Sequence, residues 1–194
     1  MLDLNNYIAR YLEEVTQIAA QIDQQAIKQA IDVLRELRQR QGRLFILGVG
    51  GSAGNASHAV NDFRKIAGME TYAPTDNVSE LTAWVNDVSW EAVFANWLQG
   101  SHLHDGDALL IFSVGGGSST TSLNLVRAME YGKSVGSRII AVVSRDGGMA
   151  KQLADVTILV PVVSTERITP HAESWQAVVW HLIVNALATM NEGE

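Results

Sequence analysis

Leu44-Phe45-Ile46-Leu47-Gly48-Val49-Gly50-Gly51-Ser52 decides the fold class. Four consecutive apolar residues, with no apolar–polar alternation, mark a strand covered on both faces, as in the middle of a parallel sheet. The glycine-rich run that follows is the punctuation of a strand-to-helix turn, and a helix is expected over 52–67. The same device recurs at Ala108-Leu109-Leu110-Ile111-Phe112, which runs into Ser113-Val114-Gly115-Gly116-Gly117-Ser118-Ser119 and a helix expected over 120–131. Further strands are expected at 71–73, 139–143 and 156–160. Further helices are expected at 78–97 (with a break near Asn86-Asp87), at 149–153 and at 171–190. Strands alternating with helices imply right-handed crossovers and a parallel sheet in a layered α/β domain.

Upstream, residues 4–40 hold no Gly or Pro, and their apolar residues recur at helical spacing: Ile8, Tyr11, Leu12, Val15, Ile18 and Ile22, then Ile27, Ala30, Ile31, Leu34 and Leu37. Asp23 can cap a second helix, so one long helix and two consecutive helices both fit. Long amphipathic helices ahead of the first strand commonly bundle with another subunit. Residues 1–41 are therefore expected to form an N-terminal helical oligomerisation segment, and 42–194 one structural unit.

Composition narrows the function. The 194 residues carry 14 Lys+Arg against 21 Asp+Glu, a net charge of −7. Binding to free nucleic acid, which relies on basic patches that neutralise phosphates, is not expected. The absence of cysteine excludes disulfides, Cys-ligated zinc and cysteine nucleophiles. Met1 to Ile8 lacks the basic-then-apolar layout of a signal peptide, and no apolar run nears the roughly 20 residues that cross a bilayer. A cytoplasmic protein with no membrane partner is expected.

Both glycine-rich turns fall where an open parallel sheet places its ligands, outside the carboxyl ends of the strands. Glycine lets the backbone approach a ligand, and the next helix offers unpaired N–H groups. Ser113, Ser118 and Ser119 add hydroxyl donors, so the second turn reads as a phosphate cradle. For the first turn, the acidic residue that would complete a dinucleotide fingerprint is not cleanly placed (Glu70 precedes Thr71), and the Lys-Ser/Thr of a P-loop does not follow. His58 and Asp62, four apart, share a helix face; the pair fits a divalent-metal site, an acid/base pair or a solvated surface couple. Glu173 and His181 project to one broad side of the last helix, and His181, inside an apolar run, fits either a satisfied core histidine or a ligand.

Taken in order, the leading helices, Gly48-Val49-Gly50-Gly51-Ser52 with His58 beyond it, Asn86-Asp87, the Ser113–Ser118 turn, Arg145-Asp146-Gly147-Gly148 and the His181 helix resemble the sugar-isomerase (SIS) domain family, in its phosphoheptose isomerase branch. The resemblance implies a three-layer, flavodoxin-like α/β sandwich on a five-stranded parallel sheet, and a homotetramer whose subunits complete one another's sites. It also implies interconversion of sedoheptulose 7-phosphate and D-glycero-D-manno-heptose 7-phosphate. Carried onto this sequence, the metal ligands are His58, Asp62, Glu173 and His181, with zinc the family metal, and the acid/base pair is Asp62 and His181. Gly50, Gly51, Ser52, Asn86, Asp87 and Glu173 face the sugar, while Ser113, Gly115 and Ser118 hold phosphate. Several positions depart from the family pattern. Val49 stands for Asn, Asp62 for Glu, and Val114, Gly115 and Gly117 for polar residues of the second turn. Glu173 stands for Gln, with Gln176 and His171 as alternative counterparts. Those departures fit a second reading, a non-catalytic SIS protein that binds phosphosugars or serves as an initiator-associating scaffold.

Overall fold

The computed structural model describes residues 3–190; the ends of the two expected segments, 1–2 and 191–194, lie outside it. The leading region is two helices, α1 (Leu4–Gln21) and α2 (Gln24–Gln39). Asp23 separates them as an N-cap, its carboxylate accepting from the N–H groups of Gln25 (2.8 Å) and Ala26 (3.2 Å).

The remaining elements are β1 (Leu44–Leu47), α3 (Gly51–Lys65), β2 (Thr71–Tyr72), a 3-10 turn (Pro74–Asp76), α4 (Val78–Asp87), α5 (Val93–Gly100), β3 (Ala108–Phe112), α6 (Leu123–Ser134), β4 (Arg138–Val143), α7 (Gly148–Leu153), β5 (Val156–Leu159) and α8 (Ile168–Thr189). The sheet has five strands in the order β2-β1-β3-β4-β5, and every pairing is parallel. Side chains alternate faces along each strand, which sorts the core into two halves. Leu44, Ile46, Leu110, Phe112, Ile140, Val142 and Ile158 pack against α2, α3 and α8. Phe45, Leu47, Leu109, Ile111, Ile139, Ala141 and Val143 pack against α5, α6 and α7. The result is a three-layer α/β sandwich. Leu34 and Leu37 of α2 are fully buried in the first half-core, so α2 is part of this sandwich. In α1, by contrast, Leu4, Ile8 and Leu12 are exposed along one stripe.

Three helix boundaries differ from the sequence reading. The break expected at Asn86-Asp87 lies at residues 88–92. α6 starts at Leu123 because the Ser118 hydroxyl accepts from the N–H groups of Thr120 (3.2 Å) and Thr121 (3.1 Å), closing a local turn that competes with helix. α8 starts at Ile168, ahead of Pro170. Proline is tolerated there because a first-turn N–H has no helical partner to lose.

The strand order reverses direction between β1 and β3, and this reversal fixes the site. Crossovers leave β1 toward β2 on one side and reach β3 on the other, opening a crevice at the carboxyl ends of those two strands. The two glycine-rich turns occupy that crevice.

A buried charge cluster ties α1 to the start of α8. Glu14 accepts from Arg167 Nε (2.8 Å) and Nη2 (2.7 Å) and meets His171 Nε2 at 2.8 Å. The Arg167 hydrogen bond, helped by His171, holds the Glu14 carboxyl down at about 2. A carboxyl depressed in the folded state stabilises the fold above its unfolded value of 4.5 and loses that contribution as pH falls toward about 2. Glu14→Gln is therefore expected to have a lower Tm than the parent at neutral pH, with the gap closing as pH falls through that window. Thermal melts across an acid series check this; a gap of constant size would detach the effect from Glu14 ionisation.

Candidate functional site

A cavity of about 420 Å³ opens at the crevice, lined by Ser52, Ser113, Ser118, Thr169 and Arg145 among others. Its donors are prepared by the backbone. Ser113 Oγ accepts from Gly116 N–H (3.1 Å), and Ser118 Oγ accepts from Thr120 and Thr121 N–H. With its oxygen so engaged, the Ser113 hydroxyl keeps an O–H to donate, as an anion requires. The Ser118 hydroxyl also meets Thr120 Oγ1 at 3.4 Å and keeps its O–H when Thr120 is the donor of that contact. Of the residues read from sequence, Ser52, Ser113, Gly115 and Ser118 line this cavity. Asn86 and Asp87 do not: they lie exposed at the end of α4, where the Asn86 amide donates to Asp87 Oδ1 (2.8 Å).

Along the α3–α8 contact a second constellation forms. His58, Asp62 and His181 each present one ligand atom within 4.8 Å of the others. Asp62 Oδ2 lies 3.8 Å from His181 Nε2 and 4.0 Å from His58 Nε2, while Asp62 Oδ1 accepts from the Asn61 amide at 2.7 Å. His181 Nδ1 stands 2.7 Å from the carbonyl oxygen of Ala177. A carbonyl oxygen only accepts, so Nδ1 carries the proton and Nε2 of the neutral ring is a bare lone pair aimed at a carboxylate. Two acceptors facing one another call for something positive between them, either a proton or a cation. Trp180 fixes both rings: it stacks on His181 (centroids 3.5 Å, 25°) and meets His58 edge-on (4.8 Å, 66°). The Asp62 side chain is 13% exposed and the His181 side chain 45%, so the pair is open to a ligand from one side.

Glu173 is not in this group. Its carboxylate rests on Gly51, where an added Cβ would stand 2.5 Å from it, at the positive end of the α3 dipole. Gly50 precedes it as the α3 N-cap. The two alternatives to Glu173 are engaged elsewhere. His171 is buried on Glu14, and Gln176 is buried with its Oε1 accepting from Asn55 Nδ2 (2.9 Å), which also donates to the Glu173 carbonyl (2.9 Å).

The donor set of two imidazoles and one carboxylate is a common one for zinc with an open fourth position. Nitrogen–oxygen separations of 3.8 and 4.0 Å need only a slight contraction for bonds of about 2.0–2.2 Å. These three residues fit a divalent ion. Asn61, Trp180 and Arg145 went unread as site residues in the sequence. Arg145 had a signal as part of the Arg145-Asp146-Gly147-Gly148 motif, though with no role attached, and Trp180 as the neighbour of His181, where it reads as ordinary core.

Comparison with known proteins gives the family. The family model described as the SIS domain matches residues 7–144. The chain belongs to the SIS domain family. A phosphoheptose isomerase from Helicobacter pylori is 32% identical over 150 residues, covering 75% of this chain and 76% of that protein. The lincomycin biosynthesis protein LmbN from Streptomyces lincolnensis is 30% identical over 193 residues, covering 93% of this chain and 68% of its own length. The solved phosphoheptose isomerase from Neisseria gonorrhoeae superposes with a TM-score of 0.81 at 26% identity, over 96% of this chain and 98% of that one. This SIS member therefore carries its cavity where the family fold reverses strand order, with the His58–Asp62–His181 group along α3 and α8.

Proposed function

We infer that the protein is a ketose–aldose phosphosugar isomerase, converting sedoheptulose 7-phosphate to D-glycero-D-manno-heptose 7-phosphate through an enediol. The phosphoheptose isomerase relatives support the reaction. The observation that carries its chemistry is the pairing of Asp62 with the bare Nε2 of His181 across 3.8 Å. Isomerisation removes a proton from the carbon beside a carbonyl and returns one to the neighbouring carbon. A carboxylate and an imidazole that face one another divide those transfers, one acting as base and the other as acid. Asn61 holds the carboxylate and Ala177 holds the imidazole tautomer, so neither group must reorient during the reaction.

A donor-rich cavity supports a phosphate ester as the remote anchor, whose binding energy orients the reacting carbons. Ser52 at the cavity and His58 are six positions apart on α3, about 9 Å along the axis, within the reach of an extended heptose phosphate. His58, Asp62 and His181 would hold the divalent ion, zinc in this reading, which would polarise the sugar carbonyl and stabilise enediolate charge. Because Nε2 cannot bind the ion and take a proton at once, His181 would serve as acid or base only while released from it. Glu173, on Gly51 between cavity and triad, is placed in this reading as a sugar contact and not as a metal ligand.

Assembly as a tetramer with shared sites is part of the same reading. The exposed apolar stripe of α1 supports it, as do exposed Val178 and Leu182 flanking the open side of His181. No helix among the described residues is long and apolar enough to cross a membrane, and a phosphorylated metabolite as substrate fits a cytoplasmic protein.

The test is turnover. Purified protein with zinc is expected to convert sedoheptulose 7-phosphate to the aldose, to lose that activity after treatment with a chelator, and to regain it when the ion is restored. Phosphosugar binding without turnover in the zinc-loaded protein would overturn the isomerase reading. Turnover unaffected by complete metal removal would overturn the metal assignment alone.

A further inference from the structure

We propose that Arg145 is a specificity-determining residue of the cavity, whose guanidinium pairs with the phosphate ester and selects phosphorylated over free sugars. The proposal rests on the phosphosugar reading of the cavity and adds to it the one cationic side chain among the described residues of its lining.

Three observations converge on this residue. First, Arg145 follows β4 at the cavity wall, and its stem crosses the second glycine-rich turn: a Cβ built on Gly115 would stand 3.8 Å from Arg145 Cδ. The stem is thereby placed beside the turn that carries Ser113 and Ser118. Second, the guanidinium is uncommitted. Among the described residues no carboxylate lies within ion-pair distance of it, whereas Arg43, Arg127 and Arg167 each hold a carboxylate at 2.6–2.7 Å. Asp146, the acidic residue of the lining, accepts the N–H of Gly148 at Oδ1 (3.1 Å) and makes no ion pair with Arg145. Third, the Arg145 backbone sits at φ 56°, in the left-handed region that is disfavoured for a residue with a long side chain. Glycine or asparagine would relieve that conformation. An exposed arginine held in it serves the fold poorly, and such outliers cluster where function constrains the chain.

The chemistry of the ligand follows. Hydroxyl donors from Ser113 and Ser118 and a planar guanidinium suit a phosphate group, which takes two parallel N–H donors from arginine and further donors from hydroxyls. A neutral sugar hydroxyl in the same place would leave the guanidinium without a counter-charge.

The experiment compares the zinc-loaded parent with Arg145→Gln, Arg145→Lys and Arg145→Gly. It measures binding of inorganic phosphate by calorimetry, kcat and KM for the ketose phosphate, and Tm. Arg145→Gln is expected to weaken phosphate binding and raise KM about 10–100-fold, the size of a lost charge-assisted hydrogen-bond pair, with a smaller fall in kcat because the phosphate anchor also orients the reacting carbons. Arg145→Lys is expected to recover part of the loss. Arg145→Gly is expected to bind as poorly as Arg145→Gln while its Tm equals or exceeds that of the parent. Unchanged phosphate binding and KM in Arg145→Gln would overturn the proposal, as would losses that follow a falling Tm across the variants. Arginine-dependent phosphate binding without isomerisation would leave this proposal standing and remove the isomerase reading; isomerisation with an unchanged KM in Arg145→Gln would do the reverse.

Discussion

Asp62→Asn and His181→Gln are each expected to lower kcat for the phosphosugar by roughly 10²–10⁴-fold, the usual contribution of a positioned acid or base. The expectation follows from the geometry of the pair. Asp62 Oδ2 and His181 Nε2 are both acceptors when the imidazole is neutral, and they face one another at 3.8 Å. A proton lifted from substrate has a place on either group and a partner to stabilise it there. Asparagine keeps the volume of Asp62 but cannot hold the proton. Glutamine at 181 keeps a polar side chain but has no imidazole lone pair. The double variant is expected to lose little beyond the worse single variant, because residues that act as a unit are not additive. Steady-state kinetics with circular dichroism as a folding control make the check. Single variants within a few-fold of the parent, correctly folded, would refute the acid/base assignment.

Gly116→Ala is expected to be the most damaging substitution to stability among small changes near the cavity. Gly116 has φ 73°, where an L-residue is strained, and an added Cβ would collide with the backbone carbonyl of Gly147. That carbonyl cannot step aside, because the two loops are laced together. Ala150 N–H donates to the Gly116 carbonyl (2.9 Å), Met149 N–H to that of Gly117 (3.0 Å), and Ser144 N–H to that of Val114 (3.0 Å). Left-handed strain of about 1–2 kcal/mol and overpacking of about 1–3 kcal/mol add to several kcal/mol. For a chain of this size that is a Tm lower by roughly 5–20 °C. The same lacing holds Ser113 and Arg145 on one cavity wall, so phosphate binding is expected to weaken with stability. A thermal melt decides it: a Tm within about 2 °C of the parent would show that the interlock yields more easily than its hydrogen bonds imply.

How much of this the sequence carries depends on the range of the interaction. The strands were legible because continuous apolar runs such as Ile139 to Val143 have one economical place, between two layers of helices. The Asp23 cap and the His58–Asp62 spacing were legible because helix geometry is local. Helix α6 was read three residues early because the Ser118 hydroxyl diverts the backbone into a turn, and a serine run does not reveal which oxygen will do so. The Glu14–Arg167–His171 cluster joins residues 153 and 157 positions apart and left no local trace. Glu173 shows the limit on the site itself. Helical spacing put it on the broad side of α8 with His181, but its carboxylate goes to Gly51, a destination set by how α8 crosses α3. Arg145 was readable as part of a motif, and its role depends on a stem laid over Gly115, which only the fold supplies.

The central claim is that one bound molecule spans the cavity and the His58–Asp62–His181 group. A crystal of the Asp62→Asn protein soaked with sedoheptulose 7-phosphate tests it most directly, since slowed turnover preserves the substrate. The expected density has the phosphate among Ser113, Ser118 and Arg145, and the carbonyl end within hydrogen-bond reach of residue 62 and His181, from the same or a neighbouring protomer. A phosphosugar seated in the cavity with its first two carbons out of reach of His181 and of residue 62 in every protomer would contradict the account.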